Sequence, residues 1–322
     1  MHGDRNDVQM LQHHMVRRLP TSAELSVRKP IGLTERDEAI LSAVATHGLL
    51  TTELIELAYF STPLPGGEGR GAPSSRAYSR LRQLWLWGYL ERIELPVARV
   101  LGGRRPYLYT LTRRGMSFVS SHHKAPIAFP SPRRLDRLDD RFLEHDLRVT
   151  ALWAHMQALV RVEQIRHCRW TPERDLRALG LRVRDPQINR WLTVLPDGYV
   201  ELEHHNQTIQ CLMVDIDMGT LTVGRFRLKL RAFQALVSSG MFQEHWHRDD
   251  CTLIVVSHSW ERVKQLWKAA REEVPYDSFS RYVFAAFASL ASSSVEHDAI
   301  WLTLGGTYQR LLQVGAVPCG VT

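Results

Sequence analysis

From Ile209 to Asp217 the chain reads IQCLMVDID, a strongly apolar strand that ends in two acids. Successive strand side chains point to opposite faces, so Asp215 and Asp217 share one face. The flanks extend the pattern. Pro196-Asp197-Gly198 is a turn that opens a second strand over Tyr199–Glu203, and a helix over 225–238 follows with one lysine, Lys229. Carboxylates gathered at strand ends beside an ammonium are the ingredients of metal-assisted phosphodiester chemistry.

The chain of 322 residues is long enough for two domains. Its net charge of +7 is unevenly spread. Residues 1–134 hold 19 Lys and Arg against 11 Asp and Glu, whereas residues 135–322 hold 22 against 23. A basic first part joined to a near-neutral second part suggests a nucleic-acid-binding module with a separate partner domain. The N-terminal MHGDRNDVQMLQHHMVRR lacks the apolar core of a signal peptide, and no apolar run reaches the roughly 18 residues of a membrane span. A cytoplasmic protein with no membrane partner is therefore expected. Cys168, Cys211, Cys251 and Cys319 have no metal-ligand spacing, and adjacent pairs such as His204–His205 point apart.

Residues 1–30 read as a flexible arm. A helix begins after Thr34, carries Ile40, Leu41 and Val44 inward, and ends at Gly48. A short helix covers Glu53–Tyr59, and the Pro- and Gly-rich stretch 61–73 excludes regular structure. The third helix starts at Ser74 or Ser75 and buries Ala77, Leu81 and Leu84. Its other side carries Arg76, Ser79, Arg80 and Gln83, with Arg82 nearby, which suits base edges and phosphates in a major groove. A solvated basic face is the alternative. Strands over Tyr89–Leu95 and Pro106–Leu111 follow, with Arg104 and Arg105 at the loop between them, and then a helix after Thr112. This is the order of a winged helix-turn-helix over 31–121, with duplex DNA as its expected partner.

Residues 122–135 read as a linker. The second domain, 136–322, opens with a long helix from about Asp139 to Val160 that carries Glu144, His145 and Asp146 in its first turns. A strand over Val162–Cys168 and a polar excursion from Arg169 to Arg190 lead to strands at Trp191–Leu195, Tyr199–Glu203 and Ile209–Asp217. A strand over 251–257, a helix from Ser259 to Arg271, and strands at 282–287 and 300–304 complete an α/β domain.

The order α-β-β-β-α-β, with Pro196-Asp197 and Val214-Asp215-Ile216-Asp217, resembles the PD-(D/E)xK restriction-endonuclease-like fold. More closely, residues 33–260 are similar to the replication-relaxation family of plasmids and mobile elements. The likeness is carried by LTERDEAIL, LEHDL, PDGYVEL, VDIDMGT, and Lys229 followed by Phe233. It implies that Asp197 and Asp215 bind Mg²⁺, with Mn²⁺ as a substitute. It also implies that Lys229 orients water and that Glu144 assists from the first helix. Asp217 stands two residues after Asp215, where that fold has its lysine, so the ammonium would come from the next helix.

Two functions stay open on this reading. One is site-directed DNA processing in replication, relaxation or transfer by a metal-dependent endonuclease. The other is a non-catalytic DNA-binding regulator whose second domain serves dimerisation or docks replication or transfer proteins of the same element. Under the second, Asp197 is a turn residue, Asp217 ends a strand and Asp215 pairs structurally with Lys229 or an arginine.

Overall fold

The computed structural model describes residues 16–18, 20, 32–60, 75–94, 107–122, 140–292 and 298–314. The chain divides into two units, residues 1–55 with 75–142 and residues 56–74 with 143–322. The architecture is mixed α/β, as expected.

The first part of the chain contains β1 (Val16–Arg18), α1 (Glu35–His47), β2 (Leu50–Thr51), α2 (Thr52–Tyr59), α3 (Ser75–Leu86), β3 (Leu90–Glu94), β4 (Tyr107–Leu111) and α4 (Arg113–His122). Thr34 and Asp37 begin α1 with a reciprocal cap. The Asp37 N–H donates to Thr34 Oγ1 at 3.3 Å, and the Thr34 N–H donates to Asp37 Oδ2 at 2.7 Å. Two donors that a helix start leaves unpaired are thereby satisfied. Gly48 ends α1 at φ 81°, a conformation that favours glycine. The faces of α1 and α3 that carry Ile40, Leu41, Ala77, Leu81 and Leu84 are fully buried.

The four strands lie in the order β1-β3-β4-β2. Here one expectation changes: within the arm foreseen over 1–30, Val16–Arg18 form a strand antiparallel to β3, with Arg17 opposite Ile93. Arg92 on β3 is buried between aromatic rings, its guanidinium 4.0 Å from the Trp85 centroid and 4.2 Å from that of Tyr107. Ring faces attract the cation in place of water. The loop with Arg104 and Arg105, the stretch 61–73 and residues 123–135 lie outside the described residues.

The second part runs α5 (Asp140–Arg161), β5 (His167–Pro172), α6 (Glu173–Leu179), β6 (Arg182–Asp185), β7 (Arg190–Thr193), β8 (Gly198–Glu203), β9 (Ile209–Asp217), α7 (Val223–Ser238), α8 (Met241–Trp246), β10 (Thr252–Ser257), α9 (Trp260–Glu273), β11 (Tyr282–Ala286), α10 (Phe287–Ser292), β12 (Trp301–Thr303) and β13 (Tyr308–Gln309). Seven strands form one mixed sheet in the order β13-β12-β11-β10-β9-β8-β5. β5, β8 and β9 are antiparallel neighbours, whereas β9, β10 and β11 are parallel. Parallel neighbours need crossover connections, which run through α7 and α9.

β9 serves both faces of this sheet. Leu212, Val214 and Ile216 join a core with Leu152, Met156 and Leu159 of α5. Cys211 and Met213 join the opposite core with Phe226, Leu230 and Phe233 of α7 and Val263 and Leu266 of α9. Each large apolar side chain buried this way contributes roughly 1.5–3 kcal/mol. The polar excursion from Arg169 to Arg190, to which the sequence pattern assigns no element, holds the end of β5, then α6 and β6. The strand expected over Val162–Cys168 starts only at His167.

Candidate functional site

Alternation along β9 carries the face of Cys211 and Met213 onward to Asp215 and Asp217. Both acids are 3% exposed. Neither sits in an apolar hole, because α7 and α9 bring cations over that end of the sheet.

Asp215 Oδ1 accepts a hydrogen bond from Lys229 Nζ on α7. Asp215 Oδ2 is buried and has no hydrogen-bond partner among the described residues. Burial pushes the Asp215 carboxyl up; Lys229 opposes this, while Asp197 and Asp217 add to it, and the net direction is upward. Burial alone would lower the Lys229 ammonium, but the surrounding Asp215, Asp197 and Asp217 carboxylates raise it. Both partners therefore favour their protonated forms, as expected where several carboxylates crowd one ammonium.

Asp197 arrives from the turn before β8. Its N–H donates to the Val214 carbonyl at 2.8 Å, and its Oδ2 accepts the Ile216 N–H at 2.6 Å. These two bonds fix the carboxylate against the strand that carries Asp215. The following residue must be small: a Cβ on Gly198 would lie 2.5 Å from the Trp170 ring. The other Asp197 oxygen, Oδ1, lies 3.4 Å from His145 Nε2 on α5. Burial tends to lower the His145 imidazole, but Asp146 and Asp197 outweigh it and raise its pKa to about 10.

Asp217 is occupied differently. Arg262 of α9 donates through Nε to Oδ2 at 2.8 Å and through Nη2 to Oδ1 at 3.3 Å, and Ser257 Oγ donates to Oδ2 at 2.9 Å. A forked guanidinium and a hydroxyl saturate the carboxylate, so Asp217 is a structural anchor at the ends of β9 and β10. Glu144 faces outward and pairs with Arg148 at 3.3 Å, one turn along α5. The first-helix group beside Asp197 is its neighbour, His145.

The structure thus brings Asp197, Asp215, Asp217 and Lys229 together, leaves Glu144 apart, and adds His145, Arg262 and Ser257. No local signal marks Arg262: it meets Asp217 across 45 residues of sequence, through the packing of α9. Among the described residues no group of three His, Cys, Asp or Glu is arranged to hold a metal ion. The unpartnered Asp215 Oδ2 and the nearby Asp197 fit the one or two carboxylates with which Mg²⁺, keeping most of its waters, is usually held.

On α3, Arg76, Ser79, Arg82 and Gln83 are exposed. Arg80 is turned back into the fold. Its Nε donates to Asp37 Oδ1 at 2.6 Å, its Nη1 donates to Gln83 Oε1 at 2.9 Å, and it stacks 5.1 Å from the Trp87 centroid. The same arginine therefore positions α3 against α1.

A family model described as replication-relaxation matches residues 41–247, more than half of the chain. No curated protein and no solved structure matches it. No helix among the described residues is long and apolar enough to cross a membrane.

Proposed function

The chain belongs to the replication-relaxation family, and from that premise we propose that it is a DNA-binding protein of a plasmid or mobile element. On this reading its first part is a winged helix-turn-helix that meets duplex DNA through the exposed Arg76, Ser79, Arg82 and Gln83 of α3. Its second part acts on the phosphodiester backbone at Asp197, Asp215 and Lys229.

One observation carries the catalytic half: Asp215 Oδ2, buried and without a hydrogen-bond partner among the described residues, lies on the strand to which Asp197 is bonded. A buried unpaired carboxylate oxygen is costly unless a cation or water satisfies it. Bound Mg²⁺ would supply Lewis acidity toward a phosphate oxygen. Asp197 and Asp215 would hold it. Lys229, fixed by Asp215, would hold a water or a non-bridging phosphate oxygen in place. His145, kept protonated by Asp146 and Asp197, would hold the Asp197 carboxylate in position.

A second reading also has its observation. Each carboxylate has its own cation: Asp215 has Lys229, Asp217 has Arg262 and Asp197 has His145. Such balance suits a non-catalytic domain that supports binding or dimerisation. Incubating supercoiled plasmid with the protein and Mg²⁺ or Mn²⁺ separates the two. Nicking or linearisation that Asp215→Ala abolishes supports the enzyme. Intact DNA at a large protein excess, with duplex binding preserved, supports the regulator.

A further inference from the structure

The hairpin β6–β7 lies between β5 and β8 in sequence but outside the seven-stranded sheet, and among the described residues its strands pair only with each other. Its register sets Arg184 opposite Trp191 and Arg182 opposite Thr193, so these four side chains share one face. All four are exposed. Trp191 is 58% exposed, and the Arg182 guanidinium lies 5.9 Å from its ring centroid. The Arg184 guanidinium is held by Asn189 Oδ1, accepting at 3.0 Å from Nε and 2.6 Å from Nη2.

The opposite face anchors the hairpin. Val183 and Leu192 enter the core shared with α7 and α9. Asp185, the hairpin's own carboxylate, turns inward to Arg231 of α7 at 3.5 Å and accepts the N–H groups of Gln187 and Ile188. Arg231 also pairs with Glu273 of α9. No carboxylate among the described residues pairs with Arg182, Arg184 or Arg190. The result is an anchored platform with an open indole, two guanidinium groups beside it on the same face and Arg190 at the next edge position, none paired with a carboxylate among the described residues.

We propose that this hairpin face is a docking surface for single-stranded DNA. Trp191 is the stacking platform for a base, and Arg182 and Arg184 contact the flanking phosphates. An aromatic face offers a base the stacking partner that it loses on leaving the duplex, and a basic border tracks the backbone whatever the sequence. A paired duplex keeps its bases stacked internally and gives Trp191 little to hold. The proposal rests on the reading of the chain as a DNA-binding protein, but concerns a surface separate from α3. α7 links it to the candidate phosphodiester site, because Lys229 binds Asp215 and Arg231 binds Asp185 two residues further on.

The test measures full-length protein against a fluorescent single-stranded oligodeoxynucleotide and, separately, against a duplex. Trp191→Ala and the double variant Arg182→Gln/Arg184→Gln are each expected to weaken single-strand affinity about ten-fold or more. Trp191→Phe keeps an aromatic platform and should retain most of that affinity while losing part of the tryptophan quenching seen on binding. Unchanged single-strand affinity in Trp191→Ala, or equal binding of polyglutamate, would overturn the proposal. Tighter binding of the matching ribo-oligonucleotide would overturn its assignment to DNA. Wild-type protein that binds duplex but no single strand defeats the hairpin proposal alone; wild-type protein that binds neither defeats the DNA-binding reading as well.

Discussion

Arg80 Nε lies 2.6 Å from Asp37 Oδ1, and this bond ties α3 to the capped first turn of α1. Burial would raise the Asp37 carboxyl, but hydrogen bonds from Arg80 and Thr34 hold it below the ordinary carboxylate value. Asp37→Asn is therefore expected to destabilise the first unit by roughly 2–3 kcal/mol, since a largely enclosed guanidinium loses its counter-ion. Urea unfolding of the full chain measures this. A depressed carboxyl stabilises the fold above its unfolded pKa, and the contribution is lost as pH falls through the lower folded value. The acid limb of the wild-type stability curve should accordingly flatten in Asp37→Asn.

Lys229→Met leaves Asp215 buried and unpaired, and its already elevated carboxyl should rise further. A loss of about 3 kcal/mol is expected, and adding Asp215→Asn should recover part of it. A double-mutant cycle in urea reads the coupling directly. Strictly additive effects would mean that the ion pair contributes nothing in solution.

His145 provides an alkaline counterpart. Its pKa in the fold is about 10, raised from 6.5, so its stabilisation is complete below about 6.5 and declines as pH rises toward 10. Thermal midpoints of wild type and His145→Gln should converge across that window. An imidazole titrating near its ordinary value by NMR would refute the close His145–Asp197 pairing.

The legible parts of this chain were those with a short-range signal. The cap at Thr34, the buried stripe of α3 and the alternation from Ile209 to Asp217 depend on neighbours a few residues away, and each stands where the pattern puts it. The β6 strand was missed because Arg182, Arg184 and Asp185 make it look polar, although Val183 and the inward-turned Asp185 are buried. Site membership was less legible still. Glu144 and His145 are adjacent, and only the rotation of α5 against the β8 turn decides which reaches Asp197. Arg80 looked outward by helical spacing, but an acid 43 residues earlier captures it.

Gly198→Ala probes the turn that presents Asp197. The added methyl meets the Trp170 ring at 2.5 Å, so the ring must move. A loss of about 1–3 kcal/mol is expected, as for other overpacked sites. Trp170→Leu in the same chain should reduce that loss, and calorimetry of the wild type and the three variants checks it. An equal loss in both backgrounds would place the strain elsewhere.

The division of β9 between two cores has a consequence for how the strand finds its partners. A slip of one residue against β8 or β10 would exchange its two sets of side chains. Asp215 and Asp217 would then face the apolar layer beneath α5, away from Lys229 and Arg262, while Leu212, Val214 and Ile216 would displace the residues packed on α7 and α9. The acids make a one-residue slip expensive, so the charged end of β9 acts as the registration mark for the central sheet, whatever chemistry it also performs.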